Sequence, residues 1–268
     1  MHIHFLDPYV HLPSPIHRLD SRVKLVLTLA FIFTVALTPI GIWPVYILLL
    51  TIVLSAEVLS ALGVIYVLKR ALLAVPFILA AFPIIFTASG NTLLTFALGP
   101  WALSVSGAGL ERFISIALKS WISLQAAIVL ASSTPFPQLL VAMRAIHIPR
   151  LLVAIFGLMW RYMFVLGDEA LRLIRARASR SGHLQIGDTK SGGSLTWRAQ
   201  VAGGMAGNLF LRALERSDRI YNAMLSRGYD GEVRSIPLPE LRTDNWLVLI
   251  LGLGILASLL ALAFLLQA

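Results

Sequence analysis

The chain of 268 residues contains no cysteine, which excludes a disulfide framework, a thiolate metal site and a cysteine nucleophile. It is also poor in charge. Asp, Glu, Lys and Arg supply 13% of the residues, about half the ~25% usual for a globular domain. Hydrophobic residues reach 58% and the mean hydropathy is +0.83, so an ordinary soluble domain is excluded and the missing polar surface must face lipid. The recognisable catalytic and phosphate-binding signatures HExxH, GxSxG and GxxxxGK[ST] are absent. The one glycine-rich loop, Ser191 to Ser194, lacks the phosphate-loop lysine and a preceding strand, so the chain reads as a non-enzyme that does not bind ATP by that route. The charge that is present is biased to one sign, 22 Lys plus Arg against 13 Asp plus Glu, for a net charge of +9. A basic nucleic-acid binder would not be this apolar, so the excess reads as the positive-inside bias of a membrane protein.

Five apolar stretches approach the ~20 residues that a span requires. They are Val23 to Pro39, Trp43 to Val67, Ala71 to Ser89 with kinks expected at Pro76 and Pro83, Leu110 to Ser133, and Trp246 to Leu266. The connections Thr38 to Tyr46 and Ala88 to Gly109 hold no charged residue, whereas the alternate ends carry Arg18, Arg22, Lys24, Lys69, Arg70, Arg144 and Arg150. The N-terminus is therefore expected in the cytoplasm. It does not read as a cleavable signal, because the first 22 residues hold Asp7, Asp20, four histidines and three prolines. The stretch Leu151 to Gly167 is apolar but short and carries Arg161. Were it to cross, the region Arg172 to Arg242, with 12 of the 22 basic residues, would be stranded outside. A helix lying along the cytoplasmic face is the better reading.

Three further helices follow the fourth span. Pro135 to Ile146 is expected to start at an N-cap Thr134 with a first-turn proline. A second runs from Arg150 to Arg180, with Asp168, Glu169, Arg172, Arg175, Arg177 and Arg180 crowding its end. The third, Met205 to Arg227, is amphipathic: Phe210, Ala213, Leu214, Ser217, Ile220, Tyr221 and Met224 recur at three- and four-residue steps. Arg212, Glu215, Arg216, Asp218, Arg219 and Asn222 take its other face. The second and third helices end alike, on Ser179-Arg180-Ser181 and Ser226-Arg227-Gly228. Each reads plainly as a helix stop with a cation matched to the dipole. As a pair, the two arginines also make a fork suited to carboxylates on a partner. The fold class is thus an all-α integral membrane protein with five spans and three cytoplasmic amphipathic helices. Residues 1–22 form a cytoplasmic N-terminal segment, 23–133 four spans, 134–244 the cytoplasmic helices and 245–268 the last span.

The opening Ser14-Pro15-Ile16-His17-Arg18-Leu19-Asp20-Ser21-Arg22-Val23-Lys24 resembles the SPLHRLDPRxKL entry of the transmembrane T component of energy-coupling factor (ECF) transporters. Thr134 to Pro149 resembles the TPFPELLxALxxLxVP helix of that family. Arg161-Tyr162, Glu169 and the two arginine signatures, the second extending to Tyr229-Asp230, are similar to its coupling-helix motifs. His4 to Asp7 with Pro8-Tyr9 looks most like the CbiQ subgroup of cobalt and nickel importers. The signatures depart from the commoner Ala-Arg-Gly in having serine before each arginine and Ser181 after the first.

The resemblance implies a non-catalytic coupling subunit in a bacterial or archaeal cytoplasmic membrane, carrying no cofactor. ATP and Mg would be bound by two CbiO-like ATPase partners. A CbiM-like membrane subunit, with or without a small CbiN-like one, would bind the substrate, cobalt or nickel. It implies that Ser179, Arg180, Ser181, Ser226, Arg227 and Gly228 dock the ATPases, while Phe210, Leu214, Ile220, Tyr221 and Met224 face the substrate subunit or lipid. A vitamin importer of the same type and a stand-alone permease are the alternatives. No nucleic-acid partner and no metal site are expected: His2, His4 and His11 have no defined ligand geometry and read as a solvated terminus. Glu57, the carboxylate deep in a span, is a candidate intramembrane polar site, with a structural role, a pair with Lys119 or Arg161 or a polar contact between helices, as the favoured account.

Overall fold

The computed structural model describes residues 8–87, 92–98, 101–180, 194–231 and 240–267. Helices dominate, and the chain divides into two units, one of Pro8–Ile146 with Leu238–Ala268 and one whose described residues lie in His147–Pro237.

The first unit opens with two capped starts. Ser14 caps α1 (Pro15–Arg18) by accepting from His17 N–H, with Pro15 at the first helical position where its missing donor costs nothing. Asp20 then caps α2 (Ser21–Leu37) by accepting from Arg22 N–H at 2.9 Å. The Ser-Pro and Asp of the opening motif are thus two consecutive helix starts. A short turn leads to α3 (Trp43–Leu59), and both α2 and α3 have 17 residues, the lower end of the spanning range.

The expected second span, Trp43 to Val67, is not continuous. The chain turns at Ser60–Gly63, with Ala61 and Gly63 at φ of 57° and 81°, and a new helix, α4 (Val64–Ala71), begins there. The third span accordingly starts at Val64 rather than Ala71. It is broken as its prolines suggested: a 3-10 turn at Leu72–Ala74 precedes α5 (Val75–Ala80), which contains Pro76, and α6 (Ile84–Thr87) begins after Pro83. The uncharged connection that follows holds an unforeseen antiparallel hairpin, β1 (Thr92–Leu98) with β2 (Trp101–Ser106), in register from Leu94↔Val105 to Leu98↔Trp101. Ser106 then caps α7 (Gly107–Ser133) through Gly109 N–H at 3.1 Å.

After α7 comes α8 (Phe136–Ala145), and here the expected cap is wrong. Pro135 occupies the cap position without a side-chain bond, and the buried Thr134 hydroxyl has no hydrogen-bond partner. The unit is completed by α11 (Thr243–Gln267). Its core lies among α2, α3, α7 and α11: Phe31, Val35, Val45, Leu49, Val53, Ile122, Ala126 and Leu256 are buried together. The outward residues remain apolar, Phe33, Ile47, Phe77, Ile250 and Leu265 among them, as lipid requires. Two glycines set helix spacing. A Cβ on Gly109 would meet the Ile85 carbonyl oxygen at 2.7 Å, and one on Gly252 would meet the Leu27 side chain at 2.6 Å.

By length and composition, four described stretches can cross a membrane: Val64–Thr87, Gly107–Ser133, Arg150–Arg180 and Thr243–Gln267, with the apolar α3 somewhat shorter. The protein is an all-α membrane protein, to which the hairpin is a small addition.

Candidate functional site

The second unit is a pair of long helices, α9 (Arg150–Arg180) and α10 (Leu195–Leu225). The third expected helix therefore begins ten residues earlier than Met205, at a Ser194 cap that accepts from Trp197 N–H. Its N-terminal extension holds Gly203 and Gly204, residues of low helix propensity. On α10 the half-buried positions are Val201, Met205, Leu209, Ala213, Arg216, Ile220 and Met224, at steps of four and three.

The two helices run antiparallel. Leu173, Arg177 and Arg180 share a cavity of about 580 Å³ with Trp197, Val201 and Met205, whereas the earlier residues Ile155, Met159 and Tyr162 share one of about 330 Å³ with Ala213, Ser217 and Ile220. Between these cavities Glu169 bridges the pair. Its Oε1 accepts from Arg212 Nη1 at 3.3 Å and its Oε2 from Arg216 Nη2 at 3.2 Å. The Glu169 side chain is 17% exposed, more shielded than its partners Arg212 and Arg216.

The helix ends carry the paired signatures. Ser179 Oγ donates to Ala176 O and Ser226 Oγ to Ala223 O, each at 3.0 Å. Both serines thus satisfy themselves on their own helix, which is why serine serves where alanine is commoner. Arg180 closes α9 and lines the larger cavity, where the Arg177 guanidinium lies 5.7 Å from the Trp197 ring centre. Past α10 the chain turns at Gly228 (φ 79°): Gly228 N–H donates to Leu225 O at 2.9 Å and Tyr229 N–H to Met224 O at 3.0 Å. This is the two-bond Schellman stop, and it needs glycine for the backbone angle alone, since a Cβ there would meet nothing within 4 Å. Arg227 is presented at that turn. Ser181 lies outside the described residues.

The apolar positions expected to form one face of α10 divide. Ile220 and Met224 are half-buried, whereas Phe210, Leu214 and Tyr221 are 62%, 48% and 54% exposed. Arg216, expected on the solvent face, occupies the half-buried stripe because Glu169 draws it inward. The Glu169 bridge was not anticipated. Its only trace in the sequence is a pair of arginines four apart on one helix and a carboxylate just beyond the apolar half of the other.

Glu57 is fully buried, and neither carboxylate oxygen has a hydrogen-bond partner. The expected pair with Lys119 is not formed, because Lys119 Nζ donates instead to Ala36 O at 3.1 Å, and Arg161 belongs to the other unit. Among the described residues no group of three or more His, Asp or Glu could hold a metal. His11 packs edge-on against the Tyr9 ring, and His2 and His4 lie outside the described residues.

A family model described as Cobalt transport protein, CbiQ, matches residues 13–237. Cobalt transport protein CbiQ of Salmonella typhimurium is 30% identical over 60% of this chain and 70% of its own. Energy-coupling factor transporter transmembrane protein EcfT of Brevibacillus brevis is 29% identical over 90% of each. The putative fused cobalt transport protein CbiMQ of Methanocorpusculum labreanum is 25% identical over 93% of this chain and 42% of the fused one. With the match running from the capped entry motif through both long helices, the chain belongs to the CbiQ family of cobalt transport proteins.

Proposed function

We propose that this protein is the transmembrane coupling subunit of an ATP-driven ECF-type importer, with a cobalt or nickel ion as cargo. The observation that carries the reading is the antiparallel pair α9 and α10, which ends in two arginine-bearing stops, Arg180 and Arg227, at opposite ends of one bridged unit. A cation at the C-terminus of a helix is already favoured by the dipole and adds a planar fork for a carboxylate. Two such ends match two ATPase subunits, one for each arginine. Ser179, Ser181, Ser226 and Gly228 flank these arginines in sequence and belong to the same proposed docking contacts.

In this reading the chain itself hydrolyses nothing and holds no cofactor. ATP and Mg sit on the CbiO-like partners, and their closure moves α9 and α10. The exposed Phe210, Leu214 and Tyr221 meet a CbiM-like substrate subunit or lipid. The fused CbiMQ relative, which joins the two names in one chain, supports that partner. The N-terminus and both long helices lie on the cytoplasmic side of the cell membrane. Arg161 in the middle of α9, and the basic residues from Arg172 onward, keep that helix from crossing despite its apolar first half.

The test is co-purification of the ATPase subunits from detergent, together with Co²⁺ uptake in vesicles. The double variant Arg180→Glu and Arg227→Glu is expected to lose both the ATPases and uptake while remaining in the membrane. Retention of ATPases and uptake by that variant sinks the docking assignment.

A further inference from the structure

We propose that Glu169, gripped by Arg212 and Arg216, is the pivot that makes the two docking arms a single lever, so that motion at one arginine end is transmitted to the other. This rests on the coupling-subunit reading and goes beyond docking itself. Arg180 lies eleven residues beyond Glu169 on α9, and Arg227 lies eleven beyond Arg216 on α10. At 1.5 Å per helical residue each arm is about 16 Å long and extends from the bridge in the opposite direction. On each side of the bridge the two helices line an open groove, of about 580 and 330 Å³, and in the larger one the Arg177 guanidinium lies 5.7 Å from the Trp197 ring centre. The two contacts at 3.3 and 3.2 Å between them engage both carboxylate oxygens, so Glu169 is held from two successive turns of α10 and cannot swivel about one bond. Apolar contact along these grooves is non-directional and does not by itself fix the crossing of the arms. A carboxylate held at two points fixes their crossing while leaving the ends free for partners.

Glu169 is thus a positioning residue, and its loss should separate docking from coupling. The experiment uses the complete complex reconstituted in liposomes, with ATP hydrolysis and Co²⁺ uptake measured together. Glu169→Gln keeps the shape and removes the charge. The expected result is that the ATPases still co-purify and hydrolyse ATP at near wild-type rate, while uptake per ATP falls by about tenfold, the scale of a typical coupling free energy. The reversed set Glu169→Arg with Arg212→Glu and Arg216→Glu should recover uptake per ATP. Because the chain has no cysteine, spin labels at exposed positions, Ile174→Cys and Ala223→Cys, report the crossing directly. The distance distribution should be narrow with Glu169 and broad with Gln. Unchanged uptake per ATP in Glu169→Gln, no recovery in the reversed set, or an unaltered label distribution each overturns the pivot. Failure of the wild-type chain to bring down ATPases overturns the coupling-subunit reading instead.

Discussion

The Lys24 ammonium, although only 6% exposed, donates to the Ser133 carbonyl oxygen at 3.0 Å, tying the start of α2 to the end of α7 across 109 residues of sequence. The carbonyls at a helix C-terminus have no partner of their own and carry the negative end of the dipole. A buried cation there satisfies both the helix and itself. The neighbouring carbonyl, Ser132 O, accepts from Val10 N–H at 3.0 Å, so the segment before α1 closes the same helix end. Lys24→Met keeps the aliphatic bulk and removes the donor. It is expected to destabilise the first unit by about 2 kcal/mol, the scale of a hydrogen bond to a charged group, seen as a lower Tm in detergent.

The two glycine contacts differ in what they touch, and their substitutions should differ accordingly. A Cβ at residue 109 meets the backbone oxygens of Ile84 and Ile85, which cannot step aside without moving α6. A Cβ at residue 252 meets the terminal methyl of Leu27, which can rotate. Gly109→Ala should cost about 1–3 kcal/mol and Gly252→Ala less than about 1 kcal/mol, compared as melting temperatures of the purified protein.

Glu57 lies at the buried face of α3 with neither oxygen paired. Leaving such a group unsatisfied costs about 1–3 kcal/mol, and an apolar side chain of similar size removes that cost. Glu57→Leu should therefore raise thermal stability. A fall in Tm would show that the carboxyl makes a contact essential to the folded state.

His17 introduces a pH dependence outside the spans. Its ring lies between Ser14 Oγ, 2.6 Å from Nδ1, and Val10 O, 3.0 Å from Nε2. A carbonyl can only accept, so Nε2 carries the proton and Nδ1 accepts from the Ser14 hydroxyl. Burial lowers the pKa of His17 below its ordinary 6.5; the bond to the Val10 carbonyl pulls it partly back, and the nearby Lys24 charge lowers it again by less. The unfolded chain then binds the proton more readily than the folded one. The stability due to neutral His17 is full above about pH 6.5 and is lost as pH falls from there toward the lower folded value. His17→Gln should flatten the Tm profile on the acid side of about pH 6.5, and an unchanged slope there would count against this assignment.

Much of the fold was legible because hydropathy, helix caps and stops are local. The apolar runs marked the spans, Pro76 and Pro83 marked the breaks in the third, and Ser226-Arg227-Gly228 marked a helix end that closes as a Schellman stop. The end of the second span was not legible. Residues 43–67 are apolar almost throughout, and hydropathy does not register a backbone reversal at Ala61 and Gly63. The hairpin β1–β2 is hidden for a related reason: the absence of charge in this connection says nothing of strand pairing.

Composition and helix-end chemistry need no tertiary contact, so the helical membrane character and the matching Arg180 and Arg227 at two helix ends are readable from the residues alone. Only the tertiary structure decided which charges are held and by what. Lys24 reaches Ser133 rather than solvent, Lys119 reaches Ala36 rather than Glu57, and Arg212 and Arg216 close on Glu169. Each of these pairings joins residues more than 40 positions apart, and the choice among partners follows from where the packed helices place a few polar atoms within 3.5 Å of one another.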